Sequence, residues 1–144
     1  MDIKKDDYLN DRLEDQISWY DEKSSSSQMK YKILKMFEII LASLIPVLSI
    51  FSKDVIQITW IIAIIGGSIT IIESWLNISK YHENWIEYRS ICETLRHEKY
   101  MFLTKTGVYS VEDPFPFLVE RIESIISKEN VNWANLNKKS NGGH

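Results

Sequence analysis

The sequence predicts an all-α membrane protein: a two-helix transmembrane hairpin whose helices extend into a cytosolic helical bundle. Three observations predict it. Two apolar stretches, 33–51 and 55–72, are separated only by Ser52-Lys53-Asp54. The second has 18 residues and no charge, about 27 Å of helix, close to the hydrocarbon thickness of a bilayer. Amphipathic segments with helical spacing flank the pair on both sides.

The first element, in region 1–32, is an amphipathic helix over 6–23. Leu9, Leu13, Ile17 and Tyr20 recur at spacings of four, four and three, which lines them up on one helical face. The run Ser24-Ser25-Ser26-Ser27 follows. Serine is a weak helix former, so the run either loosens the join to the first span or forms a solvated helical face.

The span 33–51 carries Lys35 and Glu38 near its start, which shorten its charge-free core to 13 residues, and Pro46 in its middle. Lipid-embedded helices tolerate proline where neighbours re-satisfy the backbone. A buried hairpin in a soluble bundle is the alternative for this span. The second span is harder to read that way: it has isoleucine at nine positions and no polar face broad enough to meet water. A link of three residues makes the two spans a hairpin with both chain termini on one side. Lys23, Lys30, Lys32 and Lys35 crowd the entry to the first span, and Lys80 and Arg89 follow the second, while the link offers only Lys53 beside Asp54. Basic residues near span ends favour the cytoplasm, so both termini are expected inside. Tyr31, Trp75 and Tyr81 then fall near the inner interface and Trp60 toward the outer one.

Region 73–130 begins with heptads. Ile78, Trp85 and Cys92 fall seven apart, as do Tyr81, Tyr88, Leu95 and Phe102, forming an a/d seam. No proline or glycine interrupts 68–106. One continuous rod from the second span to about Leu103 is therefore expected, with Gly107 as its C-cap. Charged residues flank the seam at spacings that allow pairs such as Arg89–Glu93. Asp113-Pro114 announces a last helix running to about Asn130, with Phe115, Leu118, Ile122 and Ile125 on one face. Region 131–144 reads as a mobile polar tail.

Composition excludes several function classes. Net charge is −3, from 17 basic and 20 acidic residues, with no strongly basic face, so nucleic acid is not an expected partner. The single Cys92 excludes an intrachain disulfide, and no Cys/His cluster points to zinc or another metal. The polar, acidic N-terminus carries no visible signal peptide. His82, His97 and His144 are scattered. No cofactor loop and no nucleophile–base pairing is present, so no enzyme activity and no cofactor are expected.

Two membrane features carry functional readings. Thr59, Ala63, Gly66, Gly67, Thr70, Ser74 and Asn77 recur every three to four residues. The stripe is either a helix–helix packing seam, within the hairpin or between copies, or the lining of a water-filled path in an assembly. Glu38 and Glu73 sit at the inner edge of the spans. They either reach the headgroup zone or pair with Lys35, or form an acidic collar at an inner mouth.

The segment Glu83-Asn84-Trp85-Ile86-Glu87-Tyr88-Arg89, followed by Glu93-Thr94-Leu95-Arg96-His97-Glu98-Lys99-Tyr100, resembles the domain-of-unknown-function family 4231. So do Arg12, Gln16 and Trp19-Tyr20-Asp21-Glu22-Lys23 before the first span, and Val119-Glu120-Arg121-Ile122-Glu123 near the end. The resemblance covers about 9–133. It implies a bacterial two-helix membrane module of the SLATT superfamily, the SMODS- and SLOG-associated two-transmembrane effectors. These are proposed to be pore-forming or membrane-disrupting outputs of defence systems triggered by nucleotide signals. The 6–23 and 114–130 helices packed on the heptad seam would make a four-helix cytosolic bundle, in which the family's Trp19, Tyr20, Trp85, Tyr88 and Arg89 are expected as core and ion-pair residues. The expected partners are the lipid bilayer of the bacterial inner membrane, further copies of the chain, and a separate sensor protein. A membrane-anchored scaffold whose hairpin is only a tether is the competing expectation, and a subunit of an enzyme with its chemistry on another chain is a third.

Overall fold

The computed structural model describes residues 4–52 and 55–141, the side chains of 129–141 excepted. Among the described residues every regular element is helical. Helix α1 runs Lys5–Phe51, α2 Ile56–Ser79, α3 Tyr81–Leu103 and α4 Phe115–Asn141, with a 3₁₀ turn at Gly107–Tyr109. The linker residues Lys53 and Asp54 lie outside the described residues, as do Gly142 to His144 of the expected tail. The chain divides into two compact units, Glu22–Glu87 and Met1–Asp21 with Tyr88–His144.

The first unit holds the apolar hairpin. Leu34, Lys35, Glu38, Leu41, Ile45 and Leu48 on α1 are half-buried, as are Ile58, Ile62, Ile65, Gly66, Ile69 and Glu73 on α2. Their three-and-four spacing marks the narrow stripe along which each helix is shielded. Many of the other apolar residues on the two helices point away from that stripe, including Phe37, Ile40, Ile50, Ile64 and Ile71, all more than half exposed. The serine run does not loosen α1. Ser24 is buried, and its hydroxyl donates to the Trp85 carbonyl oxygen at 3.4 Å.

The expected continuous rod is interrupted. Lys80 adopts the left-handed conformation, φ 48° and ψ 34°, between α2 and α3. A β-carbon in that region costs on the order of 1–2 kcal/mol, which is why glycine usually occupies it. The turn is held by the Lys80 N–H donating to Leu76 O at 3.1 Å and the Asn84 N–H donating to Lys80 O at 2.9 Å. One left-handed residue resets the helical phase, so the heptads do not carry across it. Ile78, assigned to the seam, is accordingly 78% exposed. Helix α3 also stops at Leu103, four residues before Gly107, which instead opens the 3₁₀ turn at φ +60°.

The second unit is a helical bundle with one core. Tyr8, Leu9, Leu13, Ile17 and Tyr20 of α1 meet Cys92, Leu95 and Phe102 of α3 and Leu118, Ile122 and Ile126 of α4, with Tyr109 from the 3₁₀ turn. Three helices supply this core rather than four. The first turns of α1 are wound as a π-helix over Tyr8–Leu13, whose wider turn lets the adjacent Tyr8 and Leu9 both reach the core. The Leu118 N–H donates to Pro114 O at 3.1 Å, closing the first turn of α4. The last helix was expected to end near Asn130 and is helical to Asn141.

Candidate functional site

In the hairpin unit, the small-residue stripe of α2 is turned outward. Thr59, Ala63, Gly67, Thr70 and Ser74 are exposed, and only Gly66 is half-buried. A Cβ built at Gly66 or Gly67 would meet nothing within 4 Å. Packing inside the hairpin therefore does not require either glycine. Two hydroxyls along this face are satisfied by their own helix: Thr70 donates to Gly66 O at 3.1 Å and Ser74 to Thr70 O at 2.7 Å. Such back-bonding lets hydroxyls sit in an apolar medium without a water partner.

At the end of the hairpin that carries the chain termini, Lys35 joins the two acids. Its ammonium lies 2.8 Å from Glu73 Oε2 and 2.9 Å from Glu38 Oε2. The Glu73 contact is a hydrogen bond across the two helices, whereas Glu38 Oε2 is shielded from solvent without an aligned donor. The acids share one cation, so the group carries one net negative charge per copy. Beside it, the Tyr31 and His82 rings meet at a tilt with centroids 4.9 Å apart, and His82 meets Trp85 at 5.6 Å. Tyr81 and Trp85 are half-buried and lie under lysine ammoniums.

In the bundle unit, the remaining seam residues serve packing and ion pairing. Trp19 meets Tyr20 and Tyr88 edge-on and Tyr20 meets Tyr88 at a tilt, with centroids 4.9 to 6.2 Å apart; Tyr20 is buried and Tyr88 half-buried, but Trp19, expected in the core, is exposed at its edge. Arg89 bridges Asp21 at 3.1 Å and Glu93 at 2.7 Å. Arg96 completes the network onto Asp21 and Glu93. Cys92 is fully buried, its thiol directed at Ile17 O at 3.6 Å. Burial pushes that thiol's pKa up, which removes the thiolate character a nucleophile needs.

Two carboxylate clusters escaped the sequence reading as units. Glu98 is 3% exposed. It accepts hydrogen bonds from the Tyr109 hydroxyl and from Arg121, Nε at 2.8 Å and the second nitrogen at 2.5 Å. Arg121 holds the Glu98 carboxyl below its usual range. Glu123 likewise accepts Arg12 at 3.0 and 3.2 Å and the Tyr8 hydroxyl at 3.0 Å, with its pKa lowered chiefly by Arg12. The signal for the first was present: Glu98 falls three after Leu95 and four before Phe102, a charged residue on a buried helical face.

The profile of a family described as a protein of unknown function, DUF4231, matches residues 15–114. The chain belongs to the DUF4231 family. The matched segment holds the entire hairpin, the Asp21–Arg89–Glu93 pairs and the whole connection from α3 to α4, the Gly107–Tyr109 turn included. It is narrower than the 9–133 over which the sequence resembled the family. Arg12, Arg121 and Glu123, which clasp α4 to the rest of the bundle, fall outside the part of this DUF4231 chain that the profile covers. No curated protein and no solved structure gives a match.

Proposed function

We propose that this DUF4231 protein spans the bacterial inner membrane with its hairpin and keeps both termini and the helical bundle in the cytoplasm. It assembles with copies of itself through the outward face of α2, as a two-transmembrane effector of the SLATT kind. One observation carries the reading. The most apolar 18-residue windows of both long helices have none of their residues buried within the fold. The core helix of a soluble protein would be mostly buried, and an apolar surface of this extent left in water would aggregate.

Two further points support assembly. A hairpin alone cannot enclose a path, and the glycines at 66 and 67 have no packing role inside one copy. Small residues on a lipid-facing helix allow close approach of another helix. In a ring of copies the Thr59–Ala63–Gly67–Thr70 face either packs the helices together or lines the path between them. Opening would answer a separate sensor protein, and the output would be loss of the ion gradient in a defence or stress response. Purified protein in liposomes tests this directly: trigger-dependent ion flux, abolished by Gly67→Leu, is expected, and an oligomer that leaks under no condition would refute it.

A scaffold is the second reading, favoured by the bundle being a compact unit with its own core. Replacing the hairpin by two unrelated spans separates the readings, since a scaffold keeps its function and a channel loses it.

A further inference from the structure

The join between α2 and α3 lies within the hairpin unit, and a single left-handed residue makes it. In a continuous helix the N–H groups of residues 80 to 84 would donate to the carbonyls four positions before them. The first and last of these bonds are present, from Lys80 and Asn84, but among the described residues no backbone hydrogen bond joins α2 directly to α3. Tyr81, His82 and Glu83 donate to no backbone acceptor there, and Ser79 O accepts instead from Asn84 Nδ2 at 3.4 Å. The sequence nevertheless repeats across the gap. Ile78, Tyr81, Trp85 and Tyr88 stand three, four and three apart, the stripe of one unbroken helix.

Lys105 shows how a fixed break is built. It too is left-handed, φ 51°, but the Thr106 N–H closes it onto Met101 O at 3.0 Å, the bond of a Schellman stop. No such bond closes the Lys80 break. It is held instead by contacts between α1 and the first turns of α3. Tyr31 lies beside His82 at 4.9 Å, Lys30 and Lys32 stand 5.8 Å over Tyr81 and Trp85, and the Ser24 hydroxyl donates to Trp85 O at 3.4 Å. Each of these is individually weak.

We propose that Lys80 is a two-state joint, and that the same chain also forms one continuous helix from α2 into α3. Straightening restores the helical bonds of Tyr81, His82 and Glu83 and frees Lys80 from a backbone that a β-carbon disfavours. The broken form keeps the α1–α3 contacts. Two packings so closely matched make a switch, and non-glycine residues held left-handed concentrate in switch regions. In the continuous form Ile78, now 78% exposed, joins the stripe of Tyr81 and Trp85, and the first turns of α3 change phase and direction against α2. Whatever displaces α1 from those turns is thereby transmitted to α2.

Pulsed dipolar spectroscopy of the full-length chain in detergent tests this, with spin labels on Ile64→Cys and Ile86→Cys and the labelled chain diluted with unlabelled copies. Both positions are more than half exposed, whereas Cys92 is fully buried. A continuous helix puts the labelled positions about 33 Å apart, and a bend shortens that. The wild-type sequence is expected to show both distances. Lys80→Gly should lower the longer-distance fraction about tenfold, because glycine accepts the left-handed backbone. Lys80→Ile should make the longer distance dominant, because a β-branched residue is an outlier there. Lys105→Gly should leave the distribution unchanged. Absence of the longer distance from the wild type, equal fractions in the wild type and Lys80→Gly, or an equal fall in Lys105→Gly would each overturn the proposal, whether or not Lys80→Ile folds.

Discussion

Replacing Glu98 by alanine should weaken the bundle more than any change at its surface. The Glu98 carboxylate is buried and accepts from the Tyr109 hydroxyl and from two Arg121 nitrogens. Without it the Tyr109 hydroxyl, on a side chain with no exposure, is left unpaired. Leaving a buried donor unsatisfied costs about 1–3 kcal/mol. Breaking a fully buried ion pair costs about 3–5 kcal/mol. The upper range does not apply here, because the Arg121 side chain is 49% exposed and can take water in exchange. We therefore expect about 2–3 kcal/mol, with Glu98→Gln costing about half as much because it keeps one acceptor. Hydrogen exchange of the full-length chain in nanodiscs, read on peptides spanning the bundle core, reports this as opening about 30–150-fold more frequent. Tyr109→Phe removes the hydroxyl together with its need for a partner, and should cost less than about 1 kcal/mol. Equal losses in Glu98→Ala and Tyr109→Phe, or a Glu98→Ala loss below about 0.5 kcal/mol, would refute the reasoning.

Acid should loosen the same unit. Glu98 and Glu123 are both held below the usual carboxylate range by arginine hydrogen bonds. Their contribution is therefore present above the unfolded-state pKa and disappears as pH falls through the lowered values, so exchange protection should hold from pH 7 to about pH 5 and decline below about pH 4. Gly107→Ala should lower the thermal midpoint of the bundle, at a cost of about 1–2 kcal/mol. Its φ is +60°, and a Cβ there would stand 2.7 Å from Met101 Cε; Gly107→Asn should recover part of the loss because asparagine tolerates that backbone. Gly67→Leu should leave helicity and monomer stability intact, since nothing lies within 4 Å of the new Cβ, yet shift the chain to smaller assemblies on native gels; an unchanged assembly would remove the α2 face from the interface.

The hairpin was legible because eighteen uncharged residues in a row have few other uses, and the core of the bundle because Leu9, Leu13 and Ile17, or Leu118 and Ile122, repeat with the helical period. The break at Lys80 was not legible. Left-handed conformation is announced by glycine or asparagine, and a lysine there gives no local signal. The heptad register therefore ran through to Ile78, which the structure exposes. The direction of the small-residue stripe was also hidden, because periodicity defines a face without saying what meets it. Lys35 illustrates the same point for charge: pairing with Glu38 and Glu73 was one of the open readings of those acids, and the folded hairpin brings both to Lys35, Glu73 from α2 at 2.8 Å. Glu98 itself was legible as a charge on a buried helical face, but its partners Tyr109 and Arg121 lie 11 and 23 positions away, beyond the reach of any local pattern.

The most direct test of the account is the number of copies in one particle, from the native mass of the full-length chain in lipid nanodiscs. Assembly through the outward face of α2 around a shared path predicts a single closed stoichiometry of about four copies or more, lost in Gly67→Leu. A monomer or dimer in the bilayer, unchanged by that substitution, would contradict it.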